Sequence, residues 1–286
     1  MEVVQILVNG LMAGTLLAIP AIGFTAIFAV LRFPNFAVGG LMAIGAYTGL
    51  VANTMGGLPL LATLPIAFLV AGLIGVGSDK LMISGLRPSG PLAAAIGTIA
   101  LGLLLENVLR FIFGNEFRTF NIPPVRDWRF GDLRVPPHQV ENAAYAIAIM
   151  AALFCFLMFT RSGKMMRAVA DNAALAGLKG INATRTTDLA TFMGMGLAGV
   201  GGVLIGLDVA IDPLIGTRTM LAVFAAAVVG GLGSIPGAVL GAFVIGLGEE
   251  LALLAVAPTY RTAVGFLAIL LILSFRPRGL LGERRY

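Results

Sequence analysis

Nine long apolar stretches dominate this chain and constrain its fold more than any other feature. The first of them, residues 6–31, has no charged side chain and exceeds the roughly 20 helical residues that cross a bilayer core. The 286-residue chain is 58% hydrophobic and only 12% charged, whereas soluble domains are about 25% charged. These properties predict an integral membrane protein built from helices.

The predicted fold is an all-α polytopic membrane protein with a single transmembrane domain over residues 1–286. Its predicted spans are 6–31, 36–55, 58–77, 91–113, 143–159, 189–211, 219–233, 236–257 and 262–275. The seventh and the last are short for a full crossing, and a re-entrant element over residues 219–257 is the alternative. We therefore expect eight or nine spans, with Pro20 as a candidate kink in the first.

Basic residues concentrate in two segments, and this sets the predicted orientation. Residues 160–188 hold five basic and two acidic side chains, and residues 276–286 hold four basic and one acidic. By the positive-inside rule both segments, including the C-terminus, lie in the cytoplasm. The loop 114–142 balances four basic with four acidic side chains, so it and the N-terminus are placed outside. The first stretch is too long for the apolar part of a cleavable signal peptide, so none is expected.

Two apolar segments combine a proline with clustered glycines, which predicts interruptions in their helices. The candidates are Pro34, Asn35, Gly39 and Gly40 in the first segment, and Gly230, Gly231, Gly233, Ser234, Pro236 and Gly237 in the second. Interrupted helices at corresponding places in two halves of a transporter mark a translocation path at the membrane midplane. The alternative interpretation is that these glycines only permit close helix packing.

Charged side chains inside the predicted spans are further candidates. Glu106 and Arg110 are four residues apart, so they share one helical face and are expected to form an ion pair. Asn107 beside them is placed to hydrogen-bond to another helix. Because charged groups within a membrane are functional candidates by default, Glu106 and Asn107 also join the candidate path. Glu249 and Glu250 lie near the outer end of their span and are expected to reach the head-group region.

The reactive side chains of the sequence do not suggest an enzyme. One histidine and one cysteine cannot form a metal cluster or a disulfide framework, so no metal or cofactor is expected. A phosphate-binding P-loop needs a glycine five residues before its Gly-Lys pair and a hydroxyl residue after it. Met158 and Met165 occupy those positions around Gly163-Lys164. ATP hydrolysis is therefore not expected from this chain.

Residues 160–185 form a basic, largely hydrophilic segment between two long apolar stretches. Arg161, Lys164 and Arg167 recur at every third position, with Met165 and Met166 between them. This pattern predicts a short amphipathic helix. The net charge of +5 follows from such clustering beside the membrane and does not indicate a nucleic-acid partner.

A second short helix with two leucines is predicted directly after the first. Asp171 and Asn172 offer caps for its N-terminus, and Gly180 fits the position just past its end. Asn182 can cap the element that follows it in the chain. Two helices of about eight residues are too short to be stable alone, so they need a surface to pack on. The simplest explanation is that these two helices pack on a partner protein in the cytoplasm.

The stretch TRSGKMMRAVADNAALAGLKGIN resembles the cytoplasmic loop of the branched-chain amino acid ABC transporter permease family (LivH type). Three other stretches, FPNFAVGGLMAIGAY, VVGGLGSIPGAVLG and FRPRGLLG, resemble motifs of the same family and appear in its order. The resemblance implies a permease subunit in the bacterial inner membrane. It also implies four kinds of neighbour: a second related permease, two cytoplasmic ATP-binding subunits, an external solute-binding protein and the lipid bilayer.

The resemblance further implies that residues 160–188 form the loop that couples the permease to its ATPase. The implied coupling residues are Arg161, Gly163, Lys164, Met165, Met166, Arg167, Asp171, Asn172, Leu175, Leu178, Gly180, Ile181 and Asn182. We expect the three basic residues to supply charge complementarity to the ATPase. The apolar residues expected to fill a groove on it are Met165, Met166, Leu175 and Leu178.

Two other classes of function are weighed against an ATP-driven importer. A secondary transporter or channel for a small neutral solute, such as urea or an amide, also explains interrupted helices. It leads one to expect acidic groups buried in mid-span. A membrane-embedded enzyme needs a nucleophile or a metal constellation that the sequence does not suggest. Within the family the default substrate is a branched-chain or other small amino acid, and an apolar path suits a neutral or zwitterionic solute.

Overall fold

Helices make up most of the computed structural model, which describes residues 2–121, 128–130, 133–254, 257, 261–276 and 278–282. The α-helices of this part of the chain are α1 (Glu2–Leu31), α2 (Ala37–Thr54), α3 (Leu60–Ser78), α4 (Pro91–Phe113), α5 (Pro137–Phe159), α6 (Arg161–Leu178), α7 (Ala183–Asp208), α8 (Ile215–Gly230), α9 (Ile235–Ala252) and α10 (Arg261–Phe275). A π-helical turn, Asp79–Ile83, extends α3, and a 3-10 turn, Arg87–Ser89, precedes α4. Strands β1 (Trp128–Phe130) and β2 (Leu133–Val135) pair in an antiparallel hairpin. The all-α class is confirmed, with this one small hairpin added.

The apolar helices correspond to the nine predicted stretches. Among the described residues, seven helices are long and apolar enough to cross a membrane, and two apolar helices are shorter, Ile215–Gly230 and Gly265–Phe275. The candidate kink residue Pro20 lies inside an uninterrupted α1. Two helices begin earlier than their predicted spans: α5 begins at Pro137 and its span was predicted from 143, and α7 begins at Ala183 and its span was predicted from 189. These helices extend beyond their apolar stretches because polar residues outside the membrane can continue the same helix.

The helices divide into a central and a peripheral set. The apolar windows of α1, α2 and α7 are 78%, 72% and 78% buried, whereas those of α3, α4 and α5 are 33%, 33% and 28% buried. The outer faces of α3, α4 and α5 carry exposed leucine, isoleucine and phenylalanine side chains. Such faces are suited to lipid or to further membrane subunits.

Glycines set the distances between the central helices. A Cβ atom added to Gly45 of α2 would lie 2.1 Å from the Gly199 carbonyl oxygen of α7. One added to Gly202 of α7 would lie 1.9 Å from the Met42 carbonyl oxygen of α2. No side chain fits at such distances, so α2 and α7 make backbone contact. In a membrane, where apolar surface gains little from leaving lipid, this close packing supplies much of the association energy.

Two predicted cytoplasmic segments meet at one end of the bundle, which we call the basic end. It comprises α6, the loop 231–234 between α8 and α9, and residues 278–282 of the tail. The backbone N–H of Leu280 donates to the Val229 carbonyl at 2.8 Å, and that of Leu281 donates to the Gly230 carbonyl at 2.9 Å. The tail thus caps the end of α8 and lies on the same side as α6.

The predicted external loop lies at the opposite end. The side chain of Gln5, near the start of α1, makes two hydrogen bonds of 2.9 Å with the backbone of Arg134. Arg118 and Ile211 exchange backbone hydrogen bonds of 2.9 and 2.8 Å beyond the end of α7. The described parts of loop 114–142 are therefore tied to helix ends that point away from α6.

Candidate functional site

The two short helices predicted for the basic segment form one element, α6, with a kink. The Thr160 side chain accepts a hydrogen bond from the Gly163 N–H at 3.0 Å and caps the first segment. Asn172 departs from helical geometry, with φ of −155° and ψ of 100°. Its side chain accepts from the Leu175 N–H at 3.0 Å and caps the second segment. The predicted break and cap at Asn172 are confirmed, and the cap at Thr160 was not predicted.

The end of α6 also follows its local sequence signals. Gly180 has φ of 80°, the left-handed conformation that glycine adopts without strain. The Ile181 N–H donates to the Ala176 carbonyl at 3.1 Å, the hydrogen bond of a Schellman helix end. The Asn182 side chain accepts from a backbone N–H in the first turn of α7 at 3.1 Å. The predicted structural roles of Gly180 and Asn182 are confirmed.

One face of α6 packs against the bundle. The buried residues of this face are Gly163, Met166, Val169 and Ala176. A Cβ atom at Gly163 would lie 2.4 Å from the Phe156 carbonyl oxygen, so this glycine permits contact between α6 and α5. Met166 is only 4% exposed and belongs to the main hydrophobic cluster. The expectation that Met166 fills a groove on a partner was therefore wrong.

The remaining faces of α6 combine basic and apolar side chains. The exposed residues include Arg161, Lys164, Met165, Arg167, Asp171, Leu175 and Leu178. Leu178 is 84% exposed and Leu175 is 56% exposed, although both lie at a polar end of the protein. Exposed leucines beside basic side chains are the pattern predicted for the coupling surface, and the docking role of that surface stays a prediction.

A cleft of about 720 Å³ opens beside α6 at the basic end. Its walls come from the ends of α1 and α5, the first segment of α6, residues 232–236 and the tail. Arg32, Lys164 and Arg167 line it together with Asp171. The Arg32 guanidinium donates a hydrogen bond to the Ala170 carbonyl oxygen. The end of α1 is therefore joined directly to the first segment of α6.

The first predicted interruption is a true break between α1 and α2. The Phe36 N–H donates to the Thr98 hydroxyl at 3.0 Å, and the Ala37 N–H donates to the Asn35 side chain at 3.1 Å. Asn35 is buried and Pro34 is half-buried in this segment. Side chains of the bundle thus satisfy backbone groups that a continuous helix would have paired internally.

The second predicted interruption is a tight turn between α8 and α9. Gly231 and Gly233 have φ angles of 110° and 93°, which glycine tolerates best. The Ser234 side chain then accepts from the Gly237 N–H at 3.2 Å and caps α9, with Pro236 in the first turn. The break lies at the basic end beside α6, because residues 232–236 line the cleft there.

The candidate path glycines also have a packing role. A Cβ atom at Gly230 would lie 2.0 Å from the Gly237 carbonyl oxygen, and one at Gly39 would lie 3.2 Å from that of Gly216. Gly40 approaches α4 in the same way, with 3.0 Å to a carbonyl oxygen. Close helix packing, the alternative interpretation of these glycines, is therefore confirmed. Their role in a path stays a prediction.

Three phenylalanines meet beside the first break. The ring centroids of Phe24 and Phe36 are 6.4 Å apart, those of Phe24 and Phe224 are 5.9 Å apart, and those of Phe36 and Phe224 are 5.7 Å apart. Phe24 is fully buried, whereas Phe36 and Phe224 are half-buried. We call this group the aromatic cluster. Sequence reasoning missed it, because no periodic pattern relates residues so far apart in the chain.

The predicted ion pair in α4 is confirmed, and α8 takes part in it. Arg110 lies 2.8 Å from a Glu106 carboxylate oxygen, and the Thr217 hydroxyl donates to the other oxygen at 2.7 Å. Glu106 is 4% exposed, so this contact ties α4 to α8 in the interior. The exposed Asn107 instead donates to the Leu103 carbonyl of its own helix at 2.8 Å. The expectation that Asn107 bonds to another helix was wrong, since its position faces outward.

Two further acidic residues, near the end of α9, lie in a different environment from the one predicted. Glu249 and Glu250 are only 7% and 8% exposed, so the expectation that they reach the head-group region was wrong. The cause is the close contact of α9 with α1, where a Cβ at Gly10 would lie 3.0 Å from the Leu247 backbone. A small cavity of about 110 Å³ beside Glu250 is also lined by Asn9, Met12, Ala13, Leu16, Gln139 and Asp208.

Ion pairs at the basic end were also missed by sequence reasoning. Asp79 and Arg87 lie 2.5 Å apart, and Lys80 and Asp188 lie 2.7 Å apart. The second pair joins the π-helical turn after α3 to the first part of α7, directly after α6. Among the described residues, no group of three or more histidine, cysteine, aspartate or glutamate side chains is placed to hold a metal ion.

The described part of the chain is a bundle of apolar helices with two breaks and an exposed, capped element at its basic end. The chain belongs to the family described as the permease component of branched-chain amino acid transport systems, whose family model matches residues 6–274.

Individual relatives match almost the whole chain. The high-affinity branched-chain amino acid transport system permease protein BraD of Pseudomonas aeruginosa is 30% identical over 293 residues, covering 98% of this chain and 95% of BraD. The corresponding protein LivH of Escherichia coli K12 is 31% identical over 295 residues, with the same coverage. Among solved structures, PsaBC from Streptococcus pneumoniae in complex with Fab aligns over 96% of this chain and 93% of its own. The alignment has a TM-score of 0.51 and 15% identity, a likeness of fold.

Proposed function

We propose that the chain is the permease subunit of an ATP-driven importer and forms the membrane path for branched-chain or other small amino acids. The observation that carries this proposal is α6. It is capped at both ends, anchored in the bundle through Met166 and Val169, and otherwise exposed with basic and apolar side chains. Because the chain belongs to a family of transport permeases, we assign this surface the function of docking on an ATPase.

The protein is an integral membrane protein, and we place the basic end in the cytoplasm by the positive-inside rule. The proposed partners are a second related permease, two cytoplasmic ATP-binding subunits and an external solute-binding protein. The exposed apolar faces of α3, α4 and α5 leave room for the second permease and for lipid. The described parts of loop 114–142, at the opposite end, are placed to meet the binding protein.

The proposed mechanism is alternating access. ATP binding closes the partner ATPases, which move α6 through its exposed residues, and the attached α5 and α7 tilt with it. The two breaks, 32–36 and 231–234, both border the cleft beside α6, so movement there reaches the segments proposed to line the path. ATP hydrolysis belongs to the partners in this scheme.

The buried acidic groups favour an ATP-driven importer over an ion-driven transporter. Three of the five buried carboxylates described in the structure, those of Glu106, Asp79 and Asp212, face arginines at ion-pair distance. A coupling ion would have to displace an arginine at each of them. A structural role for these charges accounts for the geometry without that step.

The substrate class is tested with the solute-binding protein that the proposed importer requires. We expect its melting temperature to rise with leucine, isoleucine or valine, because binding to the native state stabilises it by mass action. Differential scanning fluorimetry with each solute gives the measurement. A shift with urea or amides and none with amino acids would contradict the substrate assignment.

Gly180 offers a test of α6 that does not touch the path. Gly180→Val forces a branched side chain into φ of 80°, at a cost of about 1–2 kcal/mol, so the end of α6 is expected to loosen and transport per ATP to fall. No atom lies within 4 Å of a Cβ at either Gly180 or Gly177, and Gly177 has no positive φ. Gly177→Val is therefore the matched control. Equal transport per ATP in the two variants would count against the coupling role.

A further inference from the structure

We propose that Arg32 is a positioning residue that transmits the movement of α6 to the break between α1 and α2. This inference rests on the proposed function, since it takes a partner ATPase to be what moves α6. It assigns a role in coupling to a side chain outside the loop 160–188.

The backbone of Arg32 is the first observation. Its φ of 63° makes it the one non-glycine residue with a positive φ among those that the structure describes. This left-handed conformation costs an arginine about 1–2 kcal/mol, whereas a glycine adopts it freely. A strained residue that glycine could replace indicates that its side chain contributes something glycine lacks.

The side chain supplies that contribution. The Arg32 guanidinium donates to the Ala170 carbonyl oxygen, two residues before the kink at Asn172. A cation at the end of a helical segment is also favoured by the segment's dipole. Of the contacts described here, this one joins α1 to the part of α6 where its two segments meet.

The cleft gives this contact room to move. Ala26, Ala29 and Val30 of α1 face Ala168 and Ala170 of α6 across a space of about 720 Å³. Because Met166 and Val169 hold this segment in the bundle, α6 moves together with the attached α5 and α7, and the open space beside Arg32 gives that movement room. Small side chains on both walls allow the two helices to approach.

From Arg32 the chain leads directly to the aromatic cluster. Phe36 lies four residues further on, and its N–H is fixed to the Thr98 hydroxyl at 3.0 Å. Its ring contacts Phe24 of α1 and Phe224 of α8. A shift of Arg32 is passed along the non-helical residues 32–36 to the Phe36 ring, so the aromatic cluster opens when α6 moves.

The test separates the side chain of Arg32 from its backbone. Arg32→Gly removes the guanidinium and relieves the strained φ, whereas Arg32→Lys keeps the charge and the strain. In the reconstituted complex we expect solute transported per ATP hydrolysed to fall at least about tenfold for Arg32→Gly, because the charge-assisted hydrogen bond to Ala170 is lost. Arg32→Lys should retain an intermediate ratio. The melting temperature of Arg32→Gly and its yield of bound ATPase should equal those of the unaltered protein.

A fluorescent reporter follows the transmission itself. Phe36→Trp in a Trp128→Phe background places the one tryptophan in the aromatic cluster. ATP binding to the complex is expected to change its emission, and Arg32→Gly is expected to remove that change.

Two results would overturn the role of Arg32. One is a parallel fall in melting temperature and transport with an unchanged transport-to-ATP ratio, which indicates a structural residue only. The other is an ATP-dependent emission change that persists in Arg32→Gly. Absence of ATP-driven uptake by the unaltered complex is a separate result, and it would contradict the proposed function and this inference together.

Discussion

Replacing Leu175 and Leu178 together with glutamine is expected to abolish co-purification of the ATP-binding partner while the permease stays folded. Both side chains are largely exposed, at 56% and 84%, so the change removes little packing within the chain. Leucine and glutamine have similar helix propensity, so α6 should persist. Two central apolar contacts of a docking surface contribute about 2 kcal/mol or more each, which corresponds to a loss of affinity of about a thousandfold.

Two further variants give this experiment its controls. Leu81, in the π-helical turn near the same end, is 85% exposed, so Leu81→Gln is a matched change outside α6 and should leave partner binding intact. The buried Met166 should behave in the opposite way, because Met166→Gln places an amide in the core and lowers the melting temperature. Full co-purification with the double leucine variant would show that α6 does not dock the partner through this surface.

Glu106→Gln is expected to lower the stability of the folded chain more than a substitution at either neighbouring polar residue, Thr217 or Asn107. The change leaves the Arg110 side chain, which is 34% exposed, facing a neutral amide, and loss of a hydrogen bond between charged groups costs about 1.5–3 kcal/mol. Thr217→Val removes only the neutral donor and should cost about 1 kcal/mol. Unfolding in detergent by heat or denaturant measures both effects.

Asn107→Ala is the control for that series. Asn107 is adjacent to Glu106 but exposed and bonded within its own helix, so its replacement should change stability by no more than about 0.5 kcal/mol. The double variant Glu106→Gln with Arg110→Gln should recover part of the loss, because no arginine is then left without its carboxylate partner. Equal stability of Glu106→Gln and Asn107→Ala would contradict a structural role for the ion pair.

Local signals in the sequence were sufficient where a residue acts on its own stretch of chain. The caps at Asn172 and Asn182 and the left-handed Gly180 involve backbone groups only a few residues away. Their side-chain chemistry and backbone preferences therefore identify them without knowledge of the fold. The same holds for Glu106 and Arg110, which are neighbours on one turn of helix.

Residues whose environment comes from distant parts of the chain were predicted less well. Met165 and Met166 are equivalent in sequence, and only the contact of α6 with the bundle decides that Met166 is buried. Glu250 is buried because α1, more than 200 residues earlier, packs against α9. Arg32 is a basic residue after a span in the sequence, and its strained backbone and its contact with Ala170 become visible only in three dimensions.

The most direct test of the account measures leucine uptake into proteoliposomes that contain this permease, its partner permease and the ATP-binding subunits. The external binding protein is loaded with labelled leucine, and ATP is supplied on the side of the basic end. We predict uptake that requires both ATP and the binding protein, and that disappears in the Leu175→Gln, Leu178→Gln variant. Uptake that proceeds without ATP, or that follows an imposed ion gradient, would contradict the account.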